Sequence, residues 1–574
     1  MTYPASRRLL VLLIATQLAA CANGPQDAAV SPAPTSSTAN GQSAPPAEPK
    51  LAETAAKARL ARDAMKEEAR VAAQGYVMSA PTQAPSVAAA PAGIWIQPAP
   101  QTSTERYGQI TDNPVKLVAE APVSTFSIDV DTGSYSNVRR MLNGGQLPPT
   151  DAVRVEEMIN YFPYDYALPH DGQPFAVHTQ MAPAPWNPDR VLLRVAIKGQ
   201  DVAKQSLPPA NLVFLVDVSG SMESPDKLPL LKSSLKLLVD EMRPIDRISL
   251  VTYASGTQVV LPPTAGSQKA VIKAAIDALR AGGSTAGASG IQLAYSAAQQ
   301  SYIQGGINRI LLATDGDFNV GVSDDRQLRS MVEEKRKSGI SLSTLGFGTG
   351  NYNERMMEQI ADVGDGAYSY IDNLMEGHKV LVNEMTSTLA TIAKDVKVQI
   401  EFNPGVVKEY RQIGYENRQL AREDFNNDKV DAGDIGAGHT VTALYELTLT
   451  GAKGSVDPLR YGQAIKPDSS LANELAHLRL RYKLPDQDSS KLIEIPIARD
   501  AIQPLSATDG EFRFATAVAG FGQLLRGGKY TGQWSYADSR RLAGASLGAD
   551  RYGYRAEFLR LVDLAQALSS RRGG

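Results

Sequence analysis

Between residues 211 and 390 the chain alternates apolar runs that read as strands with amphipathic runs that read as helices. The strand-like runs are Leu212 to Val218, Arg247 to Tyr253, Arg309 to Thr314 and Ser341 to Phe347. The helical patterns are Leu228 to Met242, Gln268 to Leu279, Ser289 to Tyr302, Asp325 to Lys337 and Glu354 to Asp362. Strands this apolar need cover on both faces, and an intervening helix returns the chain to begin a parallel neighbour. The order therefore predicts an α/β fold: a doubly wound, mostly parallel, Rossmann-like sheet with helices on both sides. In such sheets ligands bind beyond the carboxyl ends of the strands.

The predicted strand ends and the loops beside them carry oxygen donors. The first strand runs into Asp217-Val218-Ser219-Gly220-Ser221, a D-x-S-x-S pattern. Gly282-Gly283-Ser284-Thr285 precedes a helix and offers the Thr285 hydroxyl, and the strand ending at Thr314 is followed by Asp315. Carboxylates and hydroxyls are hard ligands, suited to Mg²⁺ or to Mn²⁺ or Ca²⁺. D-x-S-x-S alone would equally describe a turn or a helix cap. The full set Asp217, Ser219, Ser221, Thr285 and Asp315 resembles, residue by residue, the metal-ion-dependent adhesion site of von Willebrand factor type A (VWA) domains. That resemblance implies that Ser219, Ser221 and Thr285 hold the ion directly and that Asp217 and Asp315 act largely through water. It also implies a protein partner whose Asp or Glu fills the open coordination position. Asp226 and Asp317 are expected to be solvated loop residues or supporting groups around the site rather than ligands of the ion.

Strand-like runs recur on both sides of this block: Phe175 to Met181 and Val191 to Ile197 before it, and Val396 to Phe402, Thr440 to Leu449, Leu478 to Tyr482 and Leu492 to Ile497 after it. The economical arrangement inserts the central domain between the two halves of a β-sandwich-like domain. Thr125 to Val130 reads as a strand, and Ser134 to Asn143 and Val153 to Tyr161 as helices. The tail is helical at Phe512 to Leu525 and Ala556 to Leu568. Over about residues 105–570 the chain resembles a bacterial lipoprotein family with a central VWA domain, an N-terminal associated domain and a C-terminal domain of undefined function. Ser124 to Tyr166, the central block and Lys394 to Leu447 carry that resemblance. The expected segments are 1–21, 22–104, 105–207, 208–392 and 393–574.

The N-terminus reads as an address. Arg7 and Arg8 precede a short apolar run, Leu9 to Ala15, and Leu18-Ala19-Ala20 leads into Cys21, the sole cysteine of 574 residues. This resembles a bacterial lipobox, so Cys21 is expected to carry acyl chains such as palmitate after removal of the signal peptide. Ala22, rather than Asp, follows it, which points to a lipid anchor in the outer membrane, facing the periplasm. Eleven of the 35 prolines fall in residues 22–104. Such a segment cannot bury enough apolar surface to fold and is expected to be a disordered tether.

Other chemistry is mostly excluded. Lys and Arg number 58 against 61 Asp and Glu, a net charge of −3, so a globally basic nucleic-acid binder is excluded. One cysteine rules out a disulfide framework, and the five histidines lack zinc-ligand spacing. No G-x-G-x-x-G follows the first strand and no Walker motif is present, and Ser224-x-x-Lys227 lacks the companions of an acyl-enzyme site. Neither nucleotide nor nucleic acid is an expected partner, and a binding protein is expected rather than an enzyme. Asp129-x-Asp131 and the acidic run Asp424 to Asp434 resemble calcium loops superficially. An EF-hand needs Glu where Arg140 and Ile435 stand, so a structural turn and a solvated connection are expected. The aromatic and basic residues from Arg526 to Tyr554 are expected to pack a C-terminal subdomain, with His439 at a strand start and His477 in a helix-like run, both structural. The alternative to a metal-dependent adhesion module is an envelope assembly scaffold in which the metal only braces loops.

Overall fold

The computed structural model describes residues 104–572, apart from 129, 171, 286, 317–324, 351, 458 and 461–468. Cys21, the expected signal peptide, the expected tether as far as residue 103, and Asp129 and Asp317 lie outside the described residues. The chain opens with β1 (Lys116–Leu117), β2 (Val123–Ser127), α1 (Gly133–Asn143), α2 (Val155–Asn160), β3 (Phe175–Ala184) and β4 (Asn187–Gly199). The central block follows as β5 (Ala210–Asp217), α3 (Leu228–Glu241), β6 (Arg247–Tyr253), β7 (Thr257–Ala265), α4 (Lys269–Ala278), α5 (Gly287–Gln300), β8 (Ile307–Thr314), α6 (Asp325–Arg336), β9 (Ser341–Phe347), α7 (Glu354–Val363), β10 (Tyr368–Ile371), α8 (Leu374–His378) and α9 (Met385–Leu389). The return comprises β11 (Thr391–Phe402), β12 (Val407–Ile413), β13 (Ile435–Gly436), β14 (Thr440–Leu449), β15 (Glu474–Lys483), β16 (Ser490–Ala498), α10 (Gly510–Leu525), α11 (Tyr536–Gly544) and α12 (Tyr554–Arg572).

The central sheet has the order β10-β9-β8-β5-β6-β7, parallel throughout except for the antiparallel edge strand β7. Alternation along β5 assigns its faces. Leu212, Phe214 and Val216 pack with Leu231, Leu235 and Ile276 of α3 and α4 on one side. Val213 and Leu215 pack with Ile291, Val332 and Ile360 of α5, α6 and α7 on the other. Each such aliphatic side chain contributes roughly 1.5–3 kcal/mol by leaving water, so a one-residue slip of β5 would exchange two complete cores.

The flanks form one sandwich. One sheet has the order β1-β12-β14-β4-β3, and the other β13-β11-β15-β16 with β2 also paired to β11. β4 pairs with β14, and β2 with β11, so strands from before and after the central block share both sheets. Phe126, Val195, Val398 and Tyr445 lie in the core between them. The C-terminal helices add a further core in which Phe514 and Phe558 pack against Tyr135 and Phe162 of the N-terminal helical segment. The segment from Asn373 to Thr391 is a broken helix: a wider π-type turn, Lys379–Asn383, separates α8 from α9.

Buried arginines fix the central block to its flanks. Arg139 of α1 pairs with Asp372 and, at 2.8 Å, with Glu376 on the central block, and with Glu557 of α12 at 3.2 Å. Arg154, which caps α2, pairs with Glu358 and Glu354 of α7 and with Glu157 of its own helix. Its side chain is 3% exposed and those of Glu157 and Glu354 are fully buried. Removing one partner of a buried pair strands charge in a low-dielectric interior and costs about 3–5 kcal/mol. Arg154→Met should therefore lower the unfolding free energy by about that amount in urea denaturation; a loss below about 1 kcal/mol would show that the cluster does not hold the two bodies together.

Candidate metal centre

β5 ends in Asp217, whose side chain turns back to organise the loop that follows. Its Oδ1 accepts the Ser219 amide at 2.8 Å and its Oδ2 accepts the Thr314 hydroxyl, from the end of β8, at 2.9 Å. The Ser219 and Ser221 hydroxyls lie 3.0 Å apart, with Ser219 buried and Ser221 exposed. Met222, fully buried, anchors the same turn in the core beneath it.

The Thr285 loop is zipped onto this turn by backbone. Gly282 donates to the Val218 carbonyl at 2.8 Å, and Gly220 donates to the Gly283 carbonyl at 2.9 Å. Gly283 has φ of +85°, and a Cβ there would meet Ser255 Oγ at 2.5 Å, so the approach needs glycine. Thr285 is half-buried two residues further on, at the mouth of α5.

Parallel register between β5 and β8 brings in the last candidate. Val216 stands opposite Ala313, so Asp315 emerges beside Asp217 at the same end of the sheet. Both carboxylates are fully buried. Burial raises the Asp217 pKa, and the Asp315 charge adds to the rise, against hydrogen bonds from Ser219 and Thr314. Lys227 joins them: its Nζ donates to Asp315 Oδ2 at 2.9 Å. The structure thus bonds Asp217, Ser219 and Ser221 together, ties the Thr285 loop to them through backbone, and sets Asp315 alongside. Among the described residues, His, Cys, Asp and Glu form no cluster of three able to hold a metal. A metal here would accordingly depend on the hydroxyls as well as the two carboxylates. The donor set is all hard oxygen, and one of its carboxylates already draws an ammonium, so the residues fit a divalent cation.

Lys227 is the site residue the motif does not reveal. Its spacing from Ser224 suggests an acyl-enzyme pair, but Ser224 donates instead to Asp226 at 2.5 Å. The available signal is its position just before α3, where the helix dipole disfavours a cation. A lysine there calls for a nearby carboxylate.

The fold and the matching models define the class. Residues 211–384 match the model described as von Willebrand factor type A domain, and residues 101–194 one described as von Willebrand factor. Domains of this class are protein-interaction or adhesion modules. Residues 387–568 match the model described as Uncharacterized protein YfbK, C-terminal. The chain belongs to the YfbK family: it is 53% identical over 511 residues to Uncharacterized protein YfbK of Escherichia coli K12, covering 87% of this chain and 86% of that protein. It is also 26% identical over 377 residues to Uncharacterized protein sll0103 of Synechocystis, covering 64% and 82%. The solved structure titled von Willebrand factor type A from Catenulispora acidiphila is 16% identical and covers 68% of this chain and 91% of its own, with a TM-score of 0.37.

Other candidates resolve into packing. Asp131 accepts the Tyr368 amide at 2.8 Å and pairs with Arg418, as a structural turn would. His477 lies in β15, a strand rather than a helix. Burial, reinforced by Lys379 and Lys198, pushes His439 down to about 4, so it is neutral near pH 7. Trp534 packs edge-on to Trp186, and Tyr554 to Tyr161. The acidic run is a largely exposed connection, as expected, but it is pinned at two points. Asp428 pairs with Arg481 at 3.0 Å and Asp431 with Arg336 at 2.9 Å, strapping the loop to β15 and α6.

Asp434 of that run lines a cavity with Asp362, Asp365 and Arg418, between sandwich and central block. Burial and then the Asp365 charge push it up to about 7. A folded acid that holds its proton more tightly than the unfolded chain loses stability as pH rises, here from about 4 to about 7. Asp434→Asn should remove that slope, stabilising the protein at pH 8 by on the order of 1–2 kcal/mol, discounted for partial solvent access, and by little at pH 4.5. Urea midpoints at the two pH values check this; equal effects at both would contradict it.

Proposed function

We propose that the chain is a membrane-anchored binding protein, not an enzyme, that holds a protein partner through a divalent ion. The observation that carries this reading is the pair of buried carboxylates, Asp217 and Asp315, set beside the Ser219 and Ser221 hydroxyls at the carboxyl end of the sheet. Ser219, Ser221 and Thr285 would hold Mg²⁺, or Mn²⁺ or Ca²⁺, through hydroxyl oxygens. Asp217 and Asp315 would support it largely through water. When bound, the ion supplies an under-neutralised positive charge that attracts a carboxylate. Asp217 orients the turn through the Ser219 amide, so the chain's own work is to keep these oxygens convergent before any partner arrives.

Cys21 would carry the acyl anchor, in the outer membrane and facing the periplasm. No helix among the described residues is long and apolar enough to cross a membrane. A flexible spacer the length of residues 22–104 would give the binding face a reach of roughly 50 Å. A second reading, an envelope assembly scaffold in which the metal is only structural, draws support from the Arg139 and Arg154 clusters, which clasp α7, α8 and the loop before α8 to the flanks.

Calorimetric titration of the purified chain with Mg²⁺, Mn²⁺ and Ca²⁺, beside Asp217→Ala and Thr285→Ala, tests the proposal. Saturable binding near one equivalent should weaken at least about tenfold in both variants. Binding unchanged in both would contradict it. Chelation that lowers thermal stability yet leaves capture of a carboxylate-bearing partner intact would favour the scaffold.

A further inference from the structure

We propose that Lys227 is a resident cation of the metal centre, one that pairs with Asp315 and exchanges affinity for the metal against affinity for an external carboxylate. The inference rests on the metal-centre reading above and concerns a residue outside the five-residue motif.

The contact is built into the fold. Lys227 Nζ lies 2.9 Å from Asp315 Oδ2, with side-chain exposures of 9% and 0%. An ammonium loses hydration at such a place, and a buried carboxylate is what offsets that loss. The lysine stem reaches Asp315 by crossing the backbone of Gly348. A Cβ at Gly348 would stand 2.3 Å from both Cγ and Cε of Lys227, and φ at that glycine is +74°. Any other residue at 348 would therefore block the path. The Gly348 carbonyl accepts the buried Tyr370 hydroxyl at 2.6 Å, which holds this part of the β9–α7 loop in place. A cation immediately before α3 opposes the helix dipole, so its position does not serve the helix.

Charge gives the consequence. Asp217 and Asp315 bring two negative charges and Lys227 one positive, leaving minus one on side chains that the fold buries. A divalent ion would carry these groups to plus one, and a partner carboxylate would return them to zero. Without Lys227 the ion alone would reach zero, and the partner carboxylate would enter against neutrality. Lys227 therefore weakens the hold on the ion and strengthens the loaded centre's demand for an anionic ligand.

The test compares the full chain with Lys227→Met, which keeps the stem, and Lys227→Arg, which keeps the charge. Mn²⁺ affinity is read by calorimetry, and melting temperature is read in chelator and in saturating Mn²⁺. Lys227→Met should bind Mn²⁺ at least about tenfold more tightly than wild type. It should melt lower in chelator and be raised by Mn²⁺ more than wild type, because the ion replaces the lost ammonium. Lys227→Arg should retain the weak binding. A Lys227→Met protein that binds Mn²⁺ as wild type does, or more weakly, overturns the role of Lys227 and leaves the centre standing. One that stays unfolded even in saturating Mn²⁺ overturns it too. If neither wild type nor Lys227→Met binds Mn²⁺, the centre itself falls, and the resident cation with it.

Discussion

Two carboxylates held out of water at neighbouring strand ends are the constraint around which the central block is arranged. Parallel pairing of β5 with β8 puts Asp217 and Asp315 side by side, and the apolar faces of β5 lock that register. Their mutual repulsion is offset locally. The Ser219 amide and the Thr314 hydroxyl donate to Asp217, and the Lys227 ammonium sits on Asp315. Three described stretches of loop at this end of the sheet serve that compensation. The D-x-S-x-S turn folds back onto Asp217, the glycine loop zips onto the turn, and Gly348 leaves a path for the lysine.

The surrounding sandwich holds this face steady. Its two sheets are each completed by strands from both sides of the central block, so neither flank closes its sheets without the other. Arg139 and Arg154 then cross the boundary, and burial holds Glu354 above its usual range even beside Arg154. α8 is clasped by Arg139 and by the Tyr161 hydroxyl through Glu376. The interrupted helix between α8 and α9 follows from serving two neighbours at once: Val380 and Leu381 pack under the central sheet, while Asn383 bonds Tyr554 of the C-terminal helix.

Much of this was legible in the sequence, and the rest was hidden for physical reasons. β5, β6, β8 and β9 declare themselves because both faces are buried and their sequences are rich in aliphatic residues. The inserted topology follows from strand patterns on either side of the block. β12 escapes notice because Glu409, Arg411 and Gln412 occupy buried positions, made tolerable by partners such as Glu446 and Gln523. β7 carries Pro262 and Pro263, which an edge strand tolerates but which disguise it as a loop. The ion pairs that pin the exposed acidic run were not legible because its partners Arg336 and Arg481 lie far away in sequence. The five oxygen donors could be read as a set because their order and spacing follow the strand ends. Lys227 could not, because its carboxylate partner stands on another strand.

The central claim is that these oxygens form a divalent-cation site. Anomalous diffraction from crystals of the whole chain grown with Mn²⁺ tests it most directly. The account predicts one strong anomalous peak among the Ser219, Ser221 and Thr285 hydroxyls, absent from Asp217→Ala crystals. Well-ordered crystals with no peak at those hydroxyls, or with the strong peak elsewhere on the molecule, would contradict it.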